Sequence, residues 1–164
     1  KTQHRIHNLA GIRKNTDKYQ ALYLRRFSID ERVEAIEHLI YNTPDLGFVM
    51  VDGIVDLLKD YNSLEESQVL VNRMMKWTDE KNLLLIGVLH VNKGDKKIRG
   101  HIGSEIKNKC EFIIHVAKQE DQFMVSNPTC RYKGFNSYSF TRDQDGNPVF
   151  DSGAPVVANV NIPF

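Results

Sequence analysis

Helix-like and wholly apolar segments alternate along the first two thirds of this chain. That alternation predicts an α/β fold built on a mostly parallel sheet. Three observations carry the expectation. Leu46 to Val51 and Leu83 to Leu89 are apolar throughout, as strands covered on both faces are. Two Ser-x-x-Glu sequences, Ser28 to Glu31 and Ser63 to Glu66, each open a segment with helical apolar spacing. After Val116 the pattern changes to short alternating stretches around turn residues, so antiparallel hairpins should extend the sheet edge.

Residues 2–10 read as the end of a helix closed by Gly11. Ala21 to Arg25 is a short strand candidate. The helix after Ser28 places Val33, Ile36 and Ile40 on one face and stops before Pro44. The helix after Ser63 carries Leu70, Met74 and Trp77 on one side, where Trp77 reads as packing and not as a stacking platform. Glu111 to Val116 is a third core strand. Gln122 to Val125, Ser137 to Phe140 and Val149-Phe150 follow as antiparallel strands, with a turn at Asp145-Gly146. Residues 151–164 hold no Lys or Arg and read as an extended tail, leaving 1–150 as the domain proper.

The composition fits this. The chain has 164 residues, 41% hydrophobic and 26% charged, enough for one globular domain with its own core. No apolar run approaches the ~18 residues of a membrane span, so no membrane partner is expected. Two cysteines, Cys110 and Cys130, exclude a disulfide scaffold and read as thiols of a reducing, cytoplasmic setting. His4 and His7 could share a helix face, but no acid or cysteine cluster near them suggests a metal site.

Charge is unevenly placed. Val91 to Lys109 holds six basic residues (Lys93, Lys96, Lys97, Arg99, Lys107 and Lys109) against two acidic ones. The rest of the chain keeps sixteen basic and nineteen acidic residues out of totals of 22 and 21. Such a segment is either a solvated loop or one that faces phosphates. Gly94, Gly100 and Gly103 suit a mobile loop that orders on binding.

Three local patterns carry chemistry. In Phe48-Val49-Met50-Val51-Asp52-Gly53 a buried strand ends in an acid, where open α/β sheets bind ligands. Such an Asp holds Mg²⁺ through its water shell or simply caps the next turn. His90 ends the next apolar strand and would stand beside Asp52, as a phosphate sensor or as a surface histidine. Arg131 and Lys133, two residues apart, project the same way if extended; they reach a neighbour's phosphate or belong to a solvated hairpin. Tyr132, Phe135, Tyr138 and Phe140 interleave with them and stack bases or pack, packing being expected for at least two.

The order of these parts resembles the RecA-like ATPase core, in the branch of DnaB-type replicative helicases and RepA-like plasmid helicases. FVMVDGIVDLL, VLHVNKGD and RGHIGSEIKNK are similar to the ATPase proteins of Bacteroides-type mobilizable transposons. The resemblance covers about 1–150. It implies a RecA-like three-layer sandwich, a DNA-dependent ATPase or helicase of a mobile element, ATP with Mg²⁺, DNA, and a homo-oligomeric ring or filament. Asp52 would be the Walker B acid, His90 the sensor, and Arg131 with Lys133 the pair offered in trans. Lys93, Lys96, Lys97, Arg99, Lys107 and Lys109 would face DNA, with a second DNA loop around Lys59 to Ser63.

The sequence departs from that pattern. It contains no G-x-x-x-x-G-K-[ST], and Gly53, not an acid, follows Asp52. Lys1 opens the chain without a strand for the catalytic glutamate. The expectation is therefore the C-terminal part of an ATPase domain, lacking the first strand, the phosphate-loop helix and the strand with the base, unable to hydrolyse ATP by itself and with an apolar sheet face or edge uncovered. Two other classes stay open: a non-catalytic DNA- or partner-binding module with a vestigial ATPase fold, and a metal-dependent phosphatase-like domain on Asp52.

Overall fold

A computed structural model describes residues 18–91, 98 and 100–150. The chain is mixed α/β and divides into two compact units, one holding 24–110 and the other holding 111–150.

In the 24–110 unit, α1 (Ile29–Asn42) begins on a complete capping box. Ser28 Oγ accepts from the Glu31 amide, and the Glu31 carboxylate accepts from the Ser28 amide at 2.7 Å. That amide bond holds the Glu31 carboxyl below the usual carboxylate range. The helix ends at Asn42, just before Pro44, as the sequence predicts. Next come β1 (Phe48–Asp52), a short 3₁₀ turn (Ile54–Leu57), α2 (Leu64–Lys81), β2 (Leu84–Val88) and α3 (Gly100–Lys109). The second capping box is only half formed. Ser63 Oγ accepts from the Glu66 amide, but the Glu66 carboxylate accepts instead from the amides of Lys59 and Asp60 at 2.9 and 3.2 Å.

β1 and β2 pair in parallel, with Phe48 opposite Leu84 and Asp52 opposite Val88. One core joins Val33, Ile36 and Ile40 of α1, Leu70, Val71 and Trp77 of α2, Ile102 of α3 and Ile54 of the 3₁₀ turn, with Val49, Val51 and Leu85 of the strands against it. Trp77 is fully buried and donates Nε1–H to Glu37 at 3.1 Å, so it packs. The Tyr41 hydroxyl of α1 donates to Glu80 of α2, and that bond pushes the Tyr41 pKa up to about 12.

Four expectations need correction here. Ala21 to Arg25 forms no strand; it is irregular and enters a turn at Arg25–Phe27, where the Phe27 amide bonds the Leu24 carbonyl at 3.1 Å. The two parallel strands are covered on one face only. Phe48, Met50, Leu84 and Ile86 are exposed, because all three helices contribute to the core on the other face. Gly100 to Lys109 is a helix and not a mobile loop. Gly100 has φ +70°, and a Cβ there would stand 2.4 Å from the Tyr61 carbonyl, so this glycine serves a close approach and a left-handed backbone.

The fourth concerns the last third. β3 (Phe112–Gln119) does not join the parallel pair; it opens a separate antiparallel sheet of order β3-β4-β5-β6, with β4 (Gln122–Cys130), β5 (Tyr138–Arg142) and β6 (Pro148–Phe150). The reason is local. Glu120 takes φ +52° in a tight reversal, which returns the chain directly alongside β3. A bulge between Ile113 and His115 is braced by Asn127, whose amide donates to the carbonyls of Ile113 and Thr129, both at 2.9 Å. The Asp145-Gly146 turn forms as expected: Gly146 has φ +83°, and Asp143 accepts from the Asn147 amide at 2.7 Å. That bond holds the Asp143 carboxyl below its ordinary value. The expected helix over 2–10, the Gly11 cap, His4, His7 and the 151–164 tail lie outside the described residues.

Candidate functional site

The end of β1 is built by the turn that follows it. Gly53 takes φ +89°, a conformation that favours glycine, and reverses the chain after Asp52. Ile54 then enters the core completely buried. It occupies the space over Gly87 of β2, where a Cβ would come within 2.7 Å of Ile54 Cγ1. The Asp56 amide donates to the Gly53 carbonyl at 2.9 Å, which closes the turn. Arg32 fastens it from α1, donating to the carbonyls of Asp56 at 2.9 Å and Leu24 at 3.2 Å.

This packing decides where Asp52 points. Val49 and Val51 face the helices, so Asp52 lies on the alternate face and is exposed at the carboxyl end of its strand. On β2, Leu85 and Leu89 pack inward and Gly87 lies under Ile54, which leaves Val88 and then His90 on the outward parity. Val88 is the register partner of Asp52, and His90 follows two residues later and is exposed. Asp52 thus ends β1 opposite Val88, and His90 follows two residues beyond the end of β2, so both lie at the carboxyl end of the parallel pair.

A second carboxylate stands close by. Asp56 Oδ2 lies 3.1 Å from where a Cβ on Gly53 would be, so it flanks the turn that begins at Asp52. The sequence reading missed this residue. The signal was the D-G-x-x-D spacing, since a left-handed glycine followed by one helical turn brings the second acid back beside that glycine.

The donor set is two exposed carboxylates and one exposed imidazole at a strand edge. Among the described residues no cluster of three or more His, Cys, Asp or Glu could hold a metal ion. These side chains do not form a cage of protein ligands for an ion.

The other residues singled out in the sequence separate. Lys93, Lys96, Lys97 and Arg99 lie outside the described residues; Val91 and Ile98, on either side of the first three, form an isolated antiparallel bridge. Lys107 and Lys109 sit in the last turn of α3, where positive charge complements the helix C-terminus. The second loop assigned to DNA, Lys59 to Ser63, is not a basic surface. Lys59 Nζ pairs with Asp30 at 2.9 Å, and the Glu66 carboxylate closes the loop from inside. Arg131 and Lys133 belong to the 111–150 unit, exposed in the loop after Cys130 and not on an extended strand. Cys110 and Cys130 are half-buried thiols that form no disulfide, and the Cys110 thiol donates to the Lys107 carbonyl at 3.6 Å.

No protein-family model matches this chain, and no curated protein matches it significantly. Among the described residues no helix is long and apolar enough to cross a membrane.

Proposed function

We propose that the 24–110 unit is the Walker B-bearing part of a RecA-like ATPase that acts on DNA. The observation that supports it is the register of β1 and β2: an exposed Asp and an exposed His at the carboxyl edge of two neighbouring parallel strands, where nucleotides bind in open α/β sheets. The resemblance of the three sequence blocks supports the same reading. So does the exposed apolar face of β1 and β2, the face that the second helical layer of a RecA-like sandwich would cover.

In this reading Asp52 holds the water shell of Mg²⁺, with Asp56 beside it as a further acceptor. His90 hydrogen-bonds the terminal phosphate and lies directly before the basic segment that starts at Lys93. Mg²⁺ with the triphosphate supplies charge neutralisation at the phosphoryl group undergoing transfer. Arg131 and Lys133 would act in trans on the nucleotide of the next copy in a homo-oligomer. Lys93, Lys96, Lys97, Arg99, Lys107 and Lys109 would contact DNA phosphates. The phosphate cradle would come from outside these 164 residues, because no G-x-x-x-x-G-K-[ST] occurs within them.

The test is a polypeptide encoded with its upstream sequence. It should contain a phosphate loop and hydrolyse ATP, and Asp52→Asn should lower turnover by roughly 100-fold or more while the protein stays folded by circular dichroism. The Asp52→Asn enzyme turning over like the parent, or an upstream sequence without a phosphate loop, overturns the reading.

A further inference from the structure

Six aromatic rings form one connected chain on the 111–150 sheet. Phe112 meets Phe135 at 5.6 Å between centroids, Phe135 meets Tyr138 at 5.7 Å, Tyr138 meets Phe150 at 5.9 Å and Phe150 meets Phe140 at 6.2 Å. Phe140 stacks on Phe123 at 5.1 Å, and Arg142 caps Phe123 at 4.3 Å. Register places the strand rings on one face, since Val125 opposes Tyr138 and Phe123 opposes Phe140. Phe123 and Phe140 are half-buried and Val125 beside them is buried, which is the packing role the sequence suggests for part of the set.

The remaining rings are open to solvent, and they gather at one end. Tyr138 is 41% exposed, and Tyr132, in the loop between β4 and β5, is 79% exposed. The loop is held in place. Gly134 lies so close to the braced Asn127 that a Cβ would stand 2.3 Å from its Oδ1, and the Arg131 amide donates to the Glu111 carbonyl at 3.0 Å. The far end of the sheet is mixed in charge, with Glu120, Asp121, Asp143 and Asp145 in its two turns and Lys118 and Arg142 on the adjoining strands, whereas the loop after Cys130 carries Arg131 and Lys133 in a stretch, 122–142, that contains no Asp or Glu.

We propose that this end of the sheet is a binding platform for single-stranded nucleic acid, with bases stacking on Tyr132, Phe135 and Tyr138 and with Arg131 and Lys133 taking the phosphates. Flat π-faces interleaved with cations match the two chemistries that an unpaired strand offers, and a duplex hides its bases. The braced loop presents the rings already positioned, which lowers the ordering cost of binding. The proposal gives Arg131 and Lys133 a role other than the trans contact of the ATPase reading, and Tyr132, which that reading does not use, tests it separately.

The test is fluorescence anisotropy of a labelled oligothymidylate of about twelve nucleotides with the whole 164-residue chain, titrated at several salt concentrations. Tyr132→Ala should weaken binding by about 5- to 150-fold, and Tyr132→Phe should restore it. Lys133→Gln should flatten the slope of log affinity against log salt by about 0.7. Lys76→Gln, an exposed position of α2 in the 24–110 unit, should leave the binding and its Tyr132 dependence unchanged. Tyr132 is too exposed for its loss to unfold the sheet, so unchanged affinity in Tyr132→Ala overturns the proposal. So does a duplex that binds as tightly as the single strand. Self-association that disappears with Tyr132→Ala, in place of oligonucleotide binding, would make the surface an interface between copies and also overturn it.

Discussion

Gly87 lacks a side chain because Ile54 fills the space that one would need. The contact links the two strands that carry Asp52 and His90, so a single methyl group tests how the edge is assembled. A Cβ at this position would meet Ile54 Cγ1 at 2.7 Å and Cδ1 at 2.8 Å, well inside van der Waals contact. Ile54 is fully buried, so it has no free space to yield into. Gly87→Ala should therefore destabilise the protein by about 1–3 kcal/mol, the usual range for overpacking. Urea denaturation followed by Trp77 fluorescence measures it. Ile54→Val made together with Gly87→Ala should recover part of the loss, because the shorter side chain gives up the clashing Cδ1; a double variant no better than the single one would show that the strain lies elsewhere.

At the scale of elements, local signals were legible in the sequence and long-range ones were not. Both Ser-x-x-Glu starts are helix N-termini, since a side chain and an amide three residues apart decide them. Even so, the Glu66 carboxylate turns to Lys59 and Asp60, because a loop with unpaired amides lies within its reach. The strands β1 and β2 were legible as strands and as a parallel pair, with Asp52 at the carboxyl end of the first. Burial on both faces was not legible. An apolar run records that a face is fit to be covered, and the cover itself is not written in that run. Asp56 was missed because it is brought back by the φ of Gly53, a property of one turn. The register gives a sharp prediction. Leu84 is 60% exposed and its neighbour Leu85 packs on the core. Leu84→Lys should change stability by less than about 0.5 kcal/mol, as exposed substitutions do. Leu85→Lys puts an unpaired charge against the core and should unfold the unit or cost several kcal/mol. Equal effects in thermal melts, or the reverse order, would mean that the strand is shifted by one residue and every side chain changes face.

For the whole molecule, the two units hold unequal cores. The 24–110 unit buries eleven hydrophobic residues in one cluster, among them Trp77, Ile40, Ile54 and Ile102 with almost no exposure. Among the described residues of the 111–150 sheet, only Met124 and Val125 are hydrophobic and buried. Burial of apolar area dominates folding stability, so the antiparallel sheet should open at lower free energy than the helices and the parallel pair. The sequence supplies separate reporters. Trp77 is the only tryptophan and reads the 24–110 core alone. The connected rings of Phe112, Phe135, Tyr138 and Phe150 give the other sheet its aromatic environment. In urea, amide exchange along β3–β6 should accelerate at concentrations where Trp77 emission is still native, so the probes should not coincide. Protection of β3–β6 amides equal to that of α2, with one shared transition, would mean that the chain folds as a single cooperative body, and the opening of one sheet without the other would have to be abandoned.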